Sequence, residues 1–110
     1  MPLLRNADHA IIELEKLRDY LLDPDNPQNG GKAEALFRMG YRQEEWQRLE
    51  TDLKEQHLVL EASFDDVTVY GTQFVIIGVI KGPVRSANMK SVWQYDVGSE
   101  VPRLITAYPQ

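Results

Sequence analysis

The sequence predicts an α+β domain in which about three N-terminal helices precede an antiparallel meander of about four strands. Three observations carry that expectation. Apolar residues recur at three- and four-residue spacing up to about Gln56, and at two-residue spacing from Leu58 onward. Helical and strand segments are segregated rather than interleaved, as expected for helices packed on an antiparallel sheet. The strand segments are joined by short turns, which suit hairpins and leave no room for parallel crossovers.

Each element follows from local chemistry. A first helix is expected over residues 6–22, with Ala7, Ala10, Ile11, Ile12, Leu14, Leu17 and Leu21 in one stripe and Asn6 as its cap. Glu13, Glu15, Lys16, Arg18 and Asp19 then fall on its solvent face. Asp23-Pro24 ends it, because the residue before proline leaves the helical region and proline has no N–H to donate. Residues 23–31 read as a loop rich in Pro, Asn and Gly. A second helix is expected over residues 32–39, stopped by Gly40. A third runs from Gln43 or Glu44 to about Gln56, with Trp46, Leu49 and Leu53 inward.

The strand half begins with alternation over residues 58–64, a turn at Asp65-Asp66, and a continuation over residues 67–70 broken by Gly71. Residues 73–81 form an unbroken apolar, β-branched run, expected as a central strand covered on both faces. Residues 91–95 and 103–108 give the last two strands, with Pro102 and Pro109 at the ends, where proline is tolerated. Strict alternation in the last strand puts Arg103, Ile105 and Ala107 on one face and Leu104, Thr106 and Tyr108 on the other.

Composition narrows the function classes. The chain has 110 residues, no cysteine, two histidines and a formal net charge of -5. It is read as one domain, residues 1–110, with a helical part at 1–56 and a β part at 57–110. Without cysteine there are no disulfides, thiolate metal sites or cysteine nucleophiles. No apolar run approaches the length of a membrane span, and no signal peptide is visible in the first residues, so a cytoplasmic protein is expected. Seventeen acidic against twelve basic residues argue against broad binding to nucleic-acid backbone and leave room for a local basic cleft.

Few motifs carry chemistry. Gly30-Gly31-Lys32 lacks the remaining residues of a phosphate-binding P-loop, but Lys32 at the start of a helix is placed to meet an anion. His9 and His57 have no metal-ligand spacing and read as surface or boundary residues, so neither metal nor cofactor is expected. Asp23 with Asp25, and Asp65 with Asp66, read as turn and cap residues. Lys81, Arg85, Lys90 and Arg103 scatter cations over the strand half; with Thr106 and Tyr108 they form a candidate phosphate pocket.

Lys16-Leu17-Arg18-Asp19-Tyr20-Leu21-Leu22-Asp23-Pro24, Gly31-Lys32-Ala33, Tyr70-Gly71, Ile80-Lys81-Gly82, Val92-Trp93 and the run from Pro102 to Pro109 resemble a bacterial domain-of-unknown-function family. Its members occur alone and at the C-termini of proteins similar to polymorphic toxins. The resemblance implies a fold like the barnase, EndoU and colicin-type ribonucleases, RNA as substrate, and a small antitoxin-like partner protein. The family pattern carries a histidine in the loop after Asp-Pro, where this chain has Asn26.

The resulting expectation is a metal-independent endoribonuclease that cleaves RNA by attack of the 2′-hydroxyl on phosphate. Lys32, Arg103 and Thr106 are its candidate catalytic residues. Asn26, Lys81 and Tyr108 are candidate substrate-binding residues. The alternative is a non-catalytic protein-interaction domain on the same fold, which Asn26 and the acidic net charge favour.

Overall fold

The computed structural model describes residues 2–110, so the expected domain boundary at Met1 lies outside the described residues. Helix α1 starts as an α turn at Leu14–Lys16 and continues as a π-helical turn at Leu17–Leu21. Helix α2 spans Lys32–Arg38. Helix α3 runs through Trp46–Asp52 into a π-helical turn at Leu53–His57. Strands β1 (Ser63–Thr68), β2 (Gly71–Lys81), β3 (Ser86–Asp96) and β4 (Pro102–Pro109) form one antiparallel sheet in the order β1-β2-β3-β4. The α+β class and the order of helices before strands are as the periodicity predicts.

The three helices bury their apolar stripes on one face of the sheet. Leu17, Leu21, Leu36, Leu49 and Leu53 meet Ile76, Ile80, Met89, Trp93, Leu104 and Ala107, all of them buried. Each such leucine contributes about 1.5–3 kcal/mol by leaving water. Because the helices lie on one side, β2 is covered on one face only: Ile76 and Ile80 are buried, while Ile77 and Val79 are 52% and 59% exposed. The expectation of a strand covered on both faces is corrected accordingly.

The first helix is shorter than its stripe suggests. Ala7–His9 is a single 3-10 turn, and the chain is then extended until α1 begins at Leu14. The free edge of β4 competes for this segment. The Ile11 N–H donates to the Pro102 carbonyl at 2.8 Å, and the Leu104 N–H donates to the Ile11 carbonyl at 2.9 Å. Two adjacent β-branched isoleucines favour the extended form. Asn6 makes no cap; its side chain donates to the Glu100 carbonyl at 2.7 Å.

Two bulges revise the strand half. Strand β1 starts at Ser63, not Leu58, and carries Asp65 and Asp66 within it; the register shifts between Phe64 and Asp66. A bulge and two carboxylates on an edge strand discourage pairing with another chain. The turn falls at Val69-Tyr70 instead, and Gly71 lets it pass the end of β3. A Cβ on Gly71 would stand 2.1 Å from the Tyr95 carbonyl oxygen.

The second bulge changes which residues of β4 share a face. Val92 faces Thr106 and Trp93 faces Leu104, leaving Ile105 as an extra residue in β4. Partners across an antiparallel pair share a face. Arg103, Thr106 and Tyr108 therefore lie together on the open face of the sheet, and Leu104 and Ala107 point to the core. The alternation expected for this strand is broken at Ile105, as bulges do when they re-aim a side chain.

Candidate functional site

A groove of about 520 Å³ lies between β4 and the N-terminal helical region, lined by Glu13, Glu15, Lys16, Tyr20, Asn26, Gln28, Ile105 and Thr106. It continues along the sheet as a second cleft of about 740 Å³ that shares Glu13, Lys16 and Ile105 and ends at Arg103, Asp96, Gln94 and Gln73. The bulged Ile105 sits where the two meet. At the other end, Tyr108 lies two residues beyond Thr106 on the same face, and the Lys32 Nζ stands 5.1 Å from its ring centroid. The Lys16 Nζ stands 5.0 Å from the Tyr20 ring in the same way. Lys90 faces Tyr108 across the strand pair and makes no ion pair among the described residues.

The loop that forms one wall is pinned from inside. Asn29 is buried; its side-chain N–H₂ donates to the Tyr20 carbonyl at 2.9 Å and the Asp23 carbonyl at 2.7 Å, and its oxygen accepts from the Gly31 N–H at 3.1 Å. Gly30 and Gly31 take left-handed φ values of 61° and 86° to complete the turn into α2. The Lys32 ammonium donates to the Asn29 carbonyl at 3.2 Å. Asn26 caps the 3-10 turn Pro27–Asn29, accepting from the Gln28 N–H at 2.9 Å and donating to the Asp19 carbonyl at 2.8 Å.

Asn26 and Thr106 line the groove, while Lys32 and Tyr108 meet each other beyond its end. The Thr106 hydroxyl oxygen is buried and has no hydrogen-bond partner among the described residues. Arg103 lies at the far end of the groove and is already engaged. It donates to both Asp96 oxygens at 3.0 and 2.9 Å, and to Glu13 at 3.4 Å. Those hydrogen bonds hold the Asp96 carboxyl below the ordinary aspartate range and raise the guanidinium further. Lys81 is not part of the cluster. It pairs with Ser86, two strands across from β4 and four residues along from Lys90, about 16 Å from Tyr108 by sheet spacing.

The family profile described as a domain of unknown function (DUF6883) matches residues 3–110. The chain belongs to that family. No curated protein and no solved structure matches it. The matched span includes both walls of the groove, so the site is internal to the family's domain.

Sequence reasoning missed Glu13, Glu15, Lys16 and Tyr20 as groove residues. The solvent-face expectation holds for Glu13 and Glu15, which are exposed, but a helix through residues 10–13 hides that this surface borders β4, which the bridge from Ile11 to Arg103 brings alongside. The two adjacent isoleucines at 11–12 were the available signal. His57, expected at a boundary, is fully buried. Its Nε2–H donates to the Gly78 carbonyl at 3.0 Å, so Nδ1 accepts from the Ser91 hydroxyl at 2.6 Å, and Ser91 in turn accepts from the Trp93 indole at 2.8 Å. Burial pushes this imidazole below the ordinary histidine value, and it serves the core. His9 is exposed, 3.5 Å from Asp8. Asp23 and Asp66 accept from the Asp25 and Val67 N–H groups, which is turn chemistry. Among the described residues no group of three or more His, Cys, Asp or Glu could hold a metal, and no helix is long and apolar enough to cross a membrane.

Proposed function

We propose that this domain is a metal-independent endoribonuclease of the toxin type, with single-stranded RNA lying along the groove beside β4. The observation that carries the reading is that Lys16, Tyr20, Asn26 and Thr106 line one groove, with Lys32 standing over Tyr108 two residues further along β4. A lysine over a tyrosine ring offers a phosphate charge and a base a stacking surface in the same place. The long, open shape of the groove suits a chain rather than a small molecule.

In this reading the 2′-oxygen attacks the adjacent phosphorus and the bond to the 5′-oxygen breaks, leaving a 2′,3′-cyclic phosphate and a 5′-hydroxyl end. A carboxylate takes the 2′-proton. Glu15 is the better candidate, because Glu13 is bound directly by Arg103 at 3.4 Å, whereas Glu15 feels only the more distant charge of Arg18, itself held by Asp19. Lys16 and Lys32 neutralise the charge that develops on the phosphate, Thr106 positions it, and the leaving 5′-oxygen takes a proton from a lysine ammonium or water. Arg103 acts by holding Glu13 and Asp96 rather than by touching the phosphate. A small neutralising protein that covers the groove, and a cytoplasmic site of action, belong to the same proposal.

The test is RNA cleavage by the purified protein in EDTA, with Lys32→Ala, Thr106→Val and Glu15→Gln alongside. Loss of cleavage in all three folded variants supports the proposal. No cleavage of several RNAs by folded wild-type protein sinks it. That result would favour a non-catalytic interaction domain, a reading supported by the lack of any histidine along the groove. Asn26→His then separates a lapsed enzyme from a binding domain: gained cleavage marks the former.

A further inference from the structure

A separate cleft lies on the opposite, helix-side face of the sheet, beyond the reach of the helices. It encloses about 620 Å³ between the N-terminal segment and the β1–β2 and β3–β4 turns. The N-terminal segment is tied in place: the Ala62 N–H donates to the Pro2 carbonyl at 3.1 Å, and the Tyr95 hydroxyl donates to the Arg5 carbonyl at 2.7 Å. Its floor is a ladder of three rings. Phe64 and Phe74 meet at 6.1 Å and Phe74 and Tyr95 at 5.7 Å, each pair near perpendicular. Large apolar side chains are bare around it: Leu3, Phe64, Val67 and Val97 line the cleft and are 53%, 58%, 64% and 76% exposed. Four such residues around one concavity leave apolar surface that water covers poorly, and a ligand would cover it better.

The charge in the cleft selects the ligand. Arg5 extends over the Tyr95 ring, with its guanidinium carbon 5.6 Å from the centroid, and has no carboxylate partner among the described residues. Asp96 also lines the cleft, but both of its oxygens accept from Arg103 and one accepts from Gln94 at 2.6 Å. The charged group of the cleft left without an ion-pair partner among the described residues is therefore Arg5. The Thr72 hydroxyl, on the same wall, makes no hydrogen bond among the described residues. Aromatic rings accept another ring edge-on or offset, and a guanidinium forks onto two acid oxygens. We propose that this cleft is a second binding site, for a flat aromatic anion of the aryl carboxylate or sulfonate class, with Phe64, Phe74 and Tyr95 holding the ring and Arg5 the acid group.

The proposal is independent of the groove and is tested with dyes. The native protein is titrated with anilinonaphthalene sulfonate and, in parallel, with the uncharged phenylnaphthylamine, reading fluorescence. Both bind at one saturable site. Arg5→Gln weakens the sulfonate roughly fivefold, the scale of an exposed ion pair, and leaves the uncharged dye unchanged. Phe64→Ala weakens both, and its exposed position keeps the fold intact. The proposal is overturned by absence of saturable binding to protein with native near-ultraviolet dichroism. It is equally overturned if Arg5→Gln leaves the sulfonate unaffected, or if Lys32→Ala weakens the sulfonate as much as Arg5→Gln does, which would put the dye in the groove.

Discussion

Thr106→Val separates stability from function at the groove. The Thr106 hydroxyl oxygen is buried without a partner, and an unsatisfied buried polar atom costs about 1–3 kcal/mol. Valine replaces the hydroxyl with a methyl group of similar size, and both residues favour strands. The neighbouring Val92 and Ile105 supply apolar contacts for the new methyl. The variant should therefore be more stable by about 1 kcal/mol, the lower end of that range because Thr106 as a whole is only half-buried. In a domain of this size that raises Tm by about 4 °C, or the urea midpoint by roughly 0.7 M for a slope of about 1.5 kcal/mol/M.

On the proposed ribonuclease reading the same variant should lose RNA binding and cleavage about tenfold or more, since a hydroxyl bonded to a charged phosphate contributes about 1.5–3 kcal/mol. Gain in stability with loss of activity is the pattern of a group kept unsatisfied for a ligand. Thr106→Ser keeps the hydroxyl and should keep activity. Urea unfolding followed by the fluorescence of Trp93, which is fully buried, reads the first effect, and cleavage of a labelled RNA reads the second. A Thr106→Val protein destabilised by 1 kcal/mol or more would refute the reasoning, because it would mean that the folded chain satisfies the hydroxyl.

Three further outcomes follow from other networks. His57 is held neutral by burial, below its ordinary value of 6.5, with its hydrogen bond to Gly78 opposing that shift; the unfolded chain protonates first, so stability is full above about pH 6.5 and falls as the pH drops below it. The urea midpoint should fall between about pH 7.5 and pH 5.5, less so in His57→Gln, and a flat profile would contradict the burial argument. Arg103→Ala should cost about 1 kcal/mol, since its partners are half-exposed, and should raise the Asp96 pKa toward its ordinary value of 3.8 in an NMR titration. Tyr41→Phe removes a 2.5 Å hydrogen bond to the buried Asp52 carboxylate; the expected loss is about 2 kcal/mol, measured by urea unfolding, with Arg48 still pairing Asp52 at 3.0 Å.

The sequence carried the core well because burial imposes a period. Leu17 and Leu21, Leu36, and Leu49 and Leu53 stand at helical spacing and are all buried. It misled where backbone competition decides conformation. Residues 10–13 satisfy a helical stripe, yet the free edge of β4 offers the Ile11 backbone two hydrogen bonds. The site suffered most from the bulge at Ile105, which alternation cannot reveal: nothing in the local residue types announces an unpaired position. That single residue decides whether Arg103 and Thr106 share a face. Lys32, Thr106, Tyr108 and Asn26 were legible as candidates by residue type, and the structure places Asn26 beside Thr106 and Lys32 beside Tyr108. Lys81 shows the limit of the same logic, because a cation beside a turn carries no information about which sheet edge the turn serves.

An acidic chain can bind a polyanion only through a few local cations, and that makes the groove testable by salt. Lys16 lines it, and Lys32 and Lys90 flank Tyr108 beyond its end, all three without a carboxylate partner among the described residues, whereas Arg103 is neutralised by Asp96 and Glu13. Three phosphate contacts to a single strand predict a slope of log affinity against log salt of about -2, from roughly 0.7 per contact. Raising salt fourfold should then weaken binding about twentyfold, as read by the anisotropy of a labelled single-stranded RNA. A slope steeper than about -4 would require a broad basic surface that the net charge of -5 does not supply. A slope near zero would mean that the lysines meet no phosphate, and the groove would then have to be read as a surface for protein.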